Sequence, residues 1–145
     1  MPGLFDRAPR LTQLRLPAAL HAELIARARA SPALEVCGLL GGRDELATRC
    51  YPLLNVADEP AHDFLADPRE QLRAMRSMRE RGETLVGIYH SHPVGPATPS
   101  ARDRALAAYP GVAYLIVSLA EGTGPALGSF VFEDGDFAPL ALEIV

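Results

Sequence analysis

The sequence predicts a mixed α/β fold, a β-sheet flanked by helices, and three observations carry that prediction. Stretches with helical spacing of apolar residues (17–30 and 67–82) interleave with apolar runs of strand length (35–42, 84–92 and 112–119). Near the C-terminus, Asp134-Gly135 separates two further runs and marks a β-hairpin. The 145 residues are 48% hydrophobic and 22% charged, the make-up of an ordinary globular chain, and we expect a single domain over residues 1–145.

Taken in order, residues 11–16 partly alternate and give a first strand. From Pro17 to Ala30, Leu20, Leu24 and Ala28 fall on one face of a helix, which Ser31-Pro32 stops. Glu35 to Gly42 is a buried strand leaving through glycines, and residues 46–57 form the next, with Pro52 demanding an edge or a bulge. Residues 58–63 are a polar loop. Asp67 as N-cap, Pro68 at N1 and Glu70 at N3 open a second helix, with Leu72 and Met75 on its apolar side and Gly82 at its end. Residues 84–92 are the central strand, 93–99 a stiff proline-rich loop, 100–108 a third helix and 112–119 another buried strand. A turn over 121–125 leads to strands at 126–133 and 137–145.

Composition excludes several functions. The formal net charge of −4 gives no electrostatic support to nucleic-acid binding. Arg69, Arg73, Arg76, Arg79 and Arg81 are interspersed with Glu70, Glu80 and Glu83, which reads as a solvated helix face. All 14 basic residues are arginine, so no lysine is available as an isopeptide acceptor. No apolar run reaches a membrane span and Met1–Arg10 lacks a signal sequence, so the expected location is cytoplasmic. Cys37 and Cys50 lack CxxC spacing and read as a buried, reduced, structural pair.

The chemistry gathers at Gly87-Ile88-Tyr89-His90-Ser91-His92-Pro93, Ser100 and Asp103. Histidines at i and i+2 on a strand share a face. Two imidazoles and a carboxylate make a ligand set for a catalytic zinc, with the fourth position left to water. Ser100 and Asp103, three apart at a helix start, also match a capping box, and metal binding by Asp103 and closure of that box are taken as exclusive. Glu35, in an apolar run, costs energy to bury unless compensated, although its place after Pro32 also suits an exposed strand start. His21 on the first helix and His62 in the polar loop read as surface histidines.

These residues resemble the signature of the JAMM (MPN+) metalloprotease family. That signature is a glutamate, a distant His-Ser/Thr-His-Pro, seven residues to a serine and two more to an aspartate. Glu35, His90-Ser91-His92-Pro93, Ser100 and Asp103 match each element. The resemblance spans the chain from the helix before Glu35 through the strand after Asp103. It implies a curved mixed β-sheet flanked by helices, similar to the cytidine-deaminase layout. It further implies one Zn²⁺ per chain held by His90, His92 and Asp103, with Glu35 as general base and Ser100 steadying the oxyanion. Partial burial of Glu35 raises its pKa toward the working range of such a base.

Eukaryotic members with this signature carry insertions that grip ubiquitin, for which this chain has little room. It is more similar to compact prokaryotic members, some of which process the Gly-Gly tail of sulfur-carrier proteins resembling ThiS and MoaD. The expected activity is therefore a zinc metallopeptidase or isopeptidase acting on the C-terminal Gly-Gly tail of a ubiquitin-like or sulfur-carrier protein. The alternatives are an amidase on a cell-wall or phage-tail peptide and a metal-free MPN binding scaffold. Deamination of cytidine is disfavoured, since the Pro-Cys-x-x-Cys ligands of that chemistry are absent.

Overall fold

Eight strands and three helices alternate along the chain in a computed structural model that describes residues 10–120, 122 and 126–145. They are β1 (Gln13–Leu16), α1 (Ala18–Ala30), β2 (Cys37–Arg43), β3 (Leu46–Leu53), α2 (Pro68–Glu80), β4 (Thr84–His92), α3 (Ala101–Leu106), β5 (Ala113–Ser118), β6 (Ala126–Glu133), β7 (Asp136–Pro139) and β8 (Ala141–Ile144). The turn expected over 121–125 lies, apart from Gly122, outside the described residues. No described helix is long and apolar enough to cross a membrane.

The strands form one sheet in the order β7-β6-β5-β4-β2-β3-β1-β8. The β4–β5 pair is parallel, with α3 in the crossover, whereas β2 pairs antiparallel with both β3 and β4. β7 and β8 are consecutive in sequence yet occupy opposite edges, so the sheet must curl until its edges nearly meet. The Leu140 amide, between them, donates to the Ser129 carbonyl of β6 at 3.0 Å. This is a curved, nearly closed mixed sheet, as the family resemblance implies. α1 packs in one cluster with Leu14 and Leu16 of β1, Leu40 of β2 and Val131 of β6, strands from both halves of the sheet, so α1 lies on its inner side. α2 covers the other face through Ala74 and Met78, against Leu39, Ile88 and Tyr114.

Several local expectations change. The strand expected over 46–57 ends at Leu53. Pro52 lies on β3 beyond Leu46, where β1 pairing stops, so its missing N–H leaves no outer partner unsatisfied. The run 137–145 breaks at Leu140 into two strands serving opposite edges. The third helix shortens to Ala101–Leu106. Leu72 is 69% exposed, because the buried face of α2 is centred on Ala74 and Met78. Asp67 caps the Arg69 amide, but Glu70 does not return to Asp67; its Oε1 accepts from the Leu54 amide at 2.6 Å and ties the helix to the end of β3. Cys37 and Cys50 are both free thiols, as expected, but only Cys37 is fully buried, and they lie on different faces: Cys37 is opposite Leu53 and Cys50 opposite Leu40, an odd offset. The hairpin at Asp134-Gly135 forms as expected, with φ of 52° and 80° and Glu133 opposite Asp136.

Candidate metal centre

Pairing at the C-terminal end of β4 determines where the histidines point. Both flanks of the strand are occupied, by β2 and β5, so His90 and His92 are fixed on one face beside Ile88. Ser91 points the other way and is fully buried. Its Oγ accepts from the Val36 amide at 2.9 Å and lies 3.3 Å from the Leu34 carbonyl, to which it donates. That hydroxyl staples the segment on either side of Glu35 to the strand bearing both histidines.

The structure brings Glu35, His90, His92 and Asp103 together, with one donor atom from each lying within 4.8 Å of all the others. The two imidazole Nε2 atoms are 3.0 Å apart, and each lies 3.1 Å from an oxygen of Asp103. Nδ1 of His92 is 2.7 Å from the Pro96 carbonyl, which can only accept, so Nδ1 carries a proton. The Nε2 lone pair of a neutral His92 therefore faces Asp103 and His90, a concentration of acceptors that asks for a cation or a proton at its centre. Ligands bound to one zinc at about 2.0–2.2 Å stand about 3.3–3.6 Å apart on a tetrahedron, only a few tenths beyond these separations. The donor set fits one zinc ion.

Electrostatics at the centre agree with this. Burial favours a neutral Asp103, yet hydrogen bonds from His90 and His92 outweigh it and hold the carboxyl well below the usual carboxylate range. Burial pushes His90 below the ordinary histidine value. Burial opposes charge on His92 too, but Asp103 and the Pro96 carbonyl raise its pKa overall. His92 therefore holds its second proton to higher pH than a free imidazole, and a metal ion at Nε2 would compete with that proton.

Glu35 precedes β2 by two residues and is 7% exposed, so the exposed strand start is not what forms. Burial, with help from Asp103 and Asp63 and against His92, pushes its pKa up to about 7. Glu35, His62, His92 and Ser100 line a cleft of about 220 Å³ walled by the Pro93–Pro99 loop. That loop is seated where β6 has a glycine: a Cβ on Gly128 would meet the Ala97 carbonyl oxygen at 2.0 Å. Ser118 Oγ donates to the Gly95 carbonyl at 2.6 Å and fixes the same loop.

The two roles of Asp103 are not exclusive. Its Oδ2 accepts from the Ser100 amide at 2.8 Å while facing His92, and its Oδ1 faces His90. A carboxylate has enough lone pairs for both tasks. Ser100 Oγ accepts from the Asp103 amide at 3.0 Å, closing the box, and its own O–H remains free to donate into the cleft.

His21 lies on α1 and outside this group. His62 is exposed at the cleft rim and also outside it. Burial pushes the Cys37 thiol up to about 12, which leaves it no thiolate near neutrality. Asn55 was invisible as a site residue in the sequence. Its Nδ2 donates to the carbonyls of Glu35 (2.8 Å) and Asp63 (2.9 Å), and its Oδ1 accepts from the amides of Ala57 and Leu65 (3.0 Å each). Phe64, in the loop so fixed, stacks on His90 at 4.4 Å. An Asn before a polar loop signals a turn and nothing more. Asn55→Ala is expected to cost about 2–3 kcal/mol in urea unfolding and to lower turnover more than zinc content, because Glu35 loses its main-chain anchor. Unchanged stability and turnover would remove Asn55 from this role.

Fold and donor set together define the class, a mixed-sheet protein able to hold one zinc ion. The family described as prokaryotic homologs of the JAB domain matches residues 17–130, and the chain belongs to that family. It is 37% identical to the desampylase of Haloferax volcanii over 113 residues, 74% of this chain and 81% of that one. It is 34% identical to the CysO-cysteine peptidase of Mycobacterium tuberculosis over 114 residues, 77% of each chain. A solution structure of a Desulfitobacterium hafniense protein, 41% identical, superposes with a TM-score of 0.79 over 92% of this chain and 94% of the other.

Proposed function

We propose that the protein is a cytoplasmic zinc metallopeptidase or isopeptidase, cleaving the amide bond at the C-terminal Gly-Gly tail of a ubiquitin-like or sulfur-carrier protein. In this reading His90, His92 and Asp103 hold the zinc, Glu35 moves the proton and Ser100 donates to the oxyanion. The observation that carries it is a buried carboxyl with a pKa of about 7 within 4.8 Å of three further donors, with Glu35 and His92 lining one cleft. A zinc ion held there supplies Lewis-acid polarisation of the scissile carbonyl and acidification of water. Glu35 as carboxylate takes a proton from the attacking water and returns it to the amine nitrogen as the C–N bond breaks. Ser100 lines the cleft, and its O–H, not used by the capping box, donates to the carbonyl oxygen as negative charge builds there. Pro96 keeps the His92 ring in the orientation that faces Asp103.

The names of the relatives, a desampylase and a CysO-cysteine peptidase, support the substrate class. A thin, flexible diglycine suits the narrow cleft. A binding scaffold is disfavoured because no member of the ligand set is missing. The test is incubation of the zinc-loaded protein with a Gly-Gly-tailed β-grasp protein joined to an amine, read by intact mass spectrometry. Release of the amine with a free C-terminal glycine is expected. An unchanged mass, with zinc present at one per chain, refutes the substrate assignment.

A further inference from the structure

Among the described residues, the arginines other than Arg29 divide into two groups. Arg10, Arg15, Arg27, Arg102 and Arg104 are ion-paired with carboxylates, and Arg43 donates to the carbonyls of Arg81 and Gly82. Six of the others lie together without a carboxylate partner. Arg69, Arg73, Arg76 and Arg79 are on α2, Arg81 is at its C-cap, and Arg49 on β3 shares with Arg73 and Arg81 a cleft of about 300 Å³. All six are exposed. Glu83, which accepts from the hydroxyls of Thr48 and Tyr51, offsets part of the charge of Arg49 and Arg81, and Glu70 accepts from the Leu54 amide. Arg69, Arg73 and Arg76 have no carboxylate at ion-pairing distance among the described residues. At 100° per residue, Arg69, Arg73 and Arg76 share the outward stripe of the helix.

This stripe adjoins an apolar surface that reaches the metal centre. Phe64, stacked on His90, also walls a second pocket of about 220 Å³ with Cys37, Leu106, Tyr109 and Gln71 of α2. Around it Leu54, Leu65, Leu72 and Leu106 are 56–69% exposed. An apolar centre with a charged margin is the anatomy of a protein interface.

We infer that this surface docks the folded body of the substrate, a small protein whose apolar patch is edged by carboxylates, while its tail reaches the metal centre. The inference rests on the substrate reading above. Arginine, with its planar fork, matches carboxylates in pairs, and a tail-cleaving enzyme needs a seat for the body within reach of the tail. The overall charge of −4 and the interleaved glutamates favour a protein over a nucleic acid.

The test compares two substrates carrying the same fluorogenic amide: an intact acidic Gly-Gly-tailed β-grasp protein and its isolated tail peptide. For Arg69→Glu/Arg73→Glu/Arg76→Glu, KM for the intact substrate is expected to rise about 10-fold, with kcat/KM for the peptide within about twofold of the unaltered enzyme. KM of the unaltered enzyme for the intact substrate should climb between about 50 and 300 mM NaCl, and that of the variant should not. Leu72→Ser, which changes no charge, should raise KM for the intact substrate about threefold. Equal effects on both substrates, or none on the intact one, overturn the inference. So does a DNA duplex bound by the enzyme and released by the triple variant. If the unaltered enzyme cleaves neither substrate, the substrate reading itself falls and takes this inference with it.

Discussion

Asp103→Asn empties the metal centre and brings hydrolysis to background while the fold stays in place. The carboxylate stands 3.1 Å from both imidazoles and remains ionised despite burial because of the hydrogen bonds it accepts. Asparagine keeps one oxygen for the Ser100 amide, so the cap of α3 survives. It removes the negative charge and turns an NH₂ donor toward a ring nitrogen. Even outer-shell partners of a metal contribute about 10–100-fold to affinity, so loss of a direct ligand should cost at least about 10²-fold. After dialysis the parent should hold about one zinc per chain and the variant almost none. Added zinc should raise the melting temperature of the parent alone. The pH dependence follows from His92. Its pKa is raised, so its proton competes with the metal, and zinc affinity of the parent should weaken as pH falls through that raised value. Asp103 is the chief group raising it, so residual binding by the variant should weaken at a lower pH. A variant that keeps its zinc and its turnover removes Asp103 from the centre.

How far the sequence could be read differs by residue for physical reasons. The histidine pair needs only the period-two geometry of a strand, and β4 forms over the expected residues 84–92. Asp103 required a long-range step, the return of a stiff loop; the loop does return, but its seat depends on Gly128 and Ser118, which no local pattern marks. Glu35 was ambiguous because strand starts face solvent or core according to what covers them. Here the loop anchored by Asn55 supplies that cover. The exclusive choice at Asp103 counted one role per side chain, whereas its carboxylate closes the capping box and faces both imidazoles at once. Leu72 was misassigned because an apolar residue four positions before Arg76 fits either flank of α2 until the sheet fixes the helix rotation.

Glu35→Gln separates catalysis from stability most sharply. Turnover is expected to fall by about 10²–10⁴, the range for loss of a general base, with zinc still bound because the three other donors are untouched. Stability should move the opposite way. The carboxyl titrates at about 7 when folded against 4.5 as an ordinary side chain, so the folded state binds its proton more tightly than the unfolded one. That contribution is complete below pH 4.5 and is lost as pH rises through 7, by about 3 kcal/mol at most in metal-free protein. Glutamine has no proton to lose. Metal-free variant and parent should therefore unfold at similar urea concentrations near pH 4, and near pH 8 the variant should be the more stable. A bound dication favours the carboxylate and narrows the gap, so adding zinc should reduce the difference at pH 8. Glu35 thus sits where its burial costs the fold stability, in an environment that keeps its proton exchangeable near neutrality. A variant with parental turnover would take Glu35 out of proton transfer. One with no gain in stability at pH 8 would show that its burial costs the fold nothing.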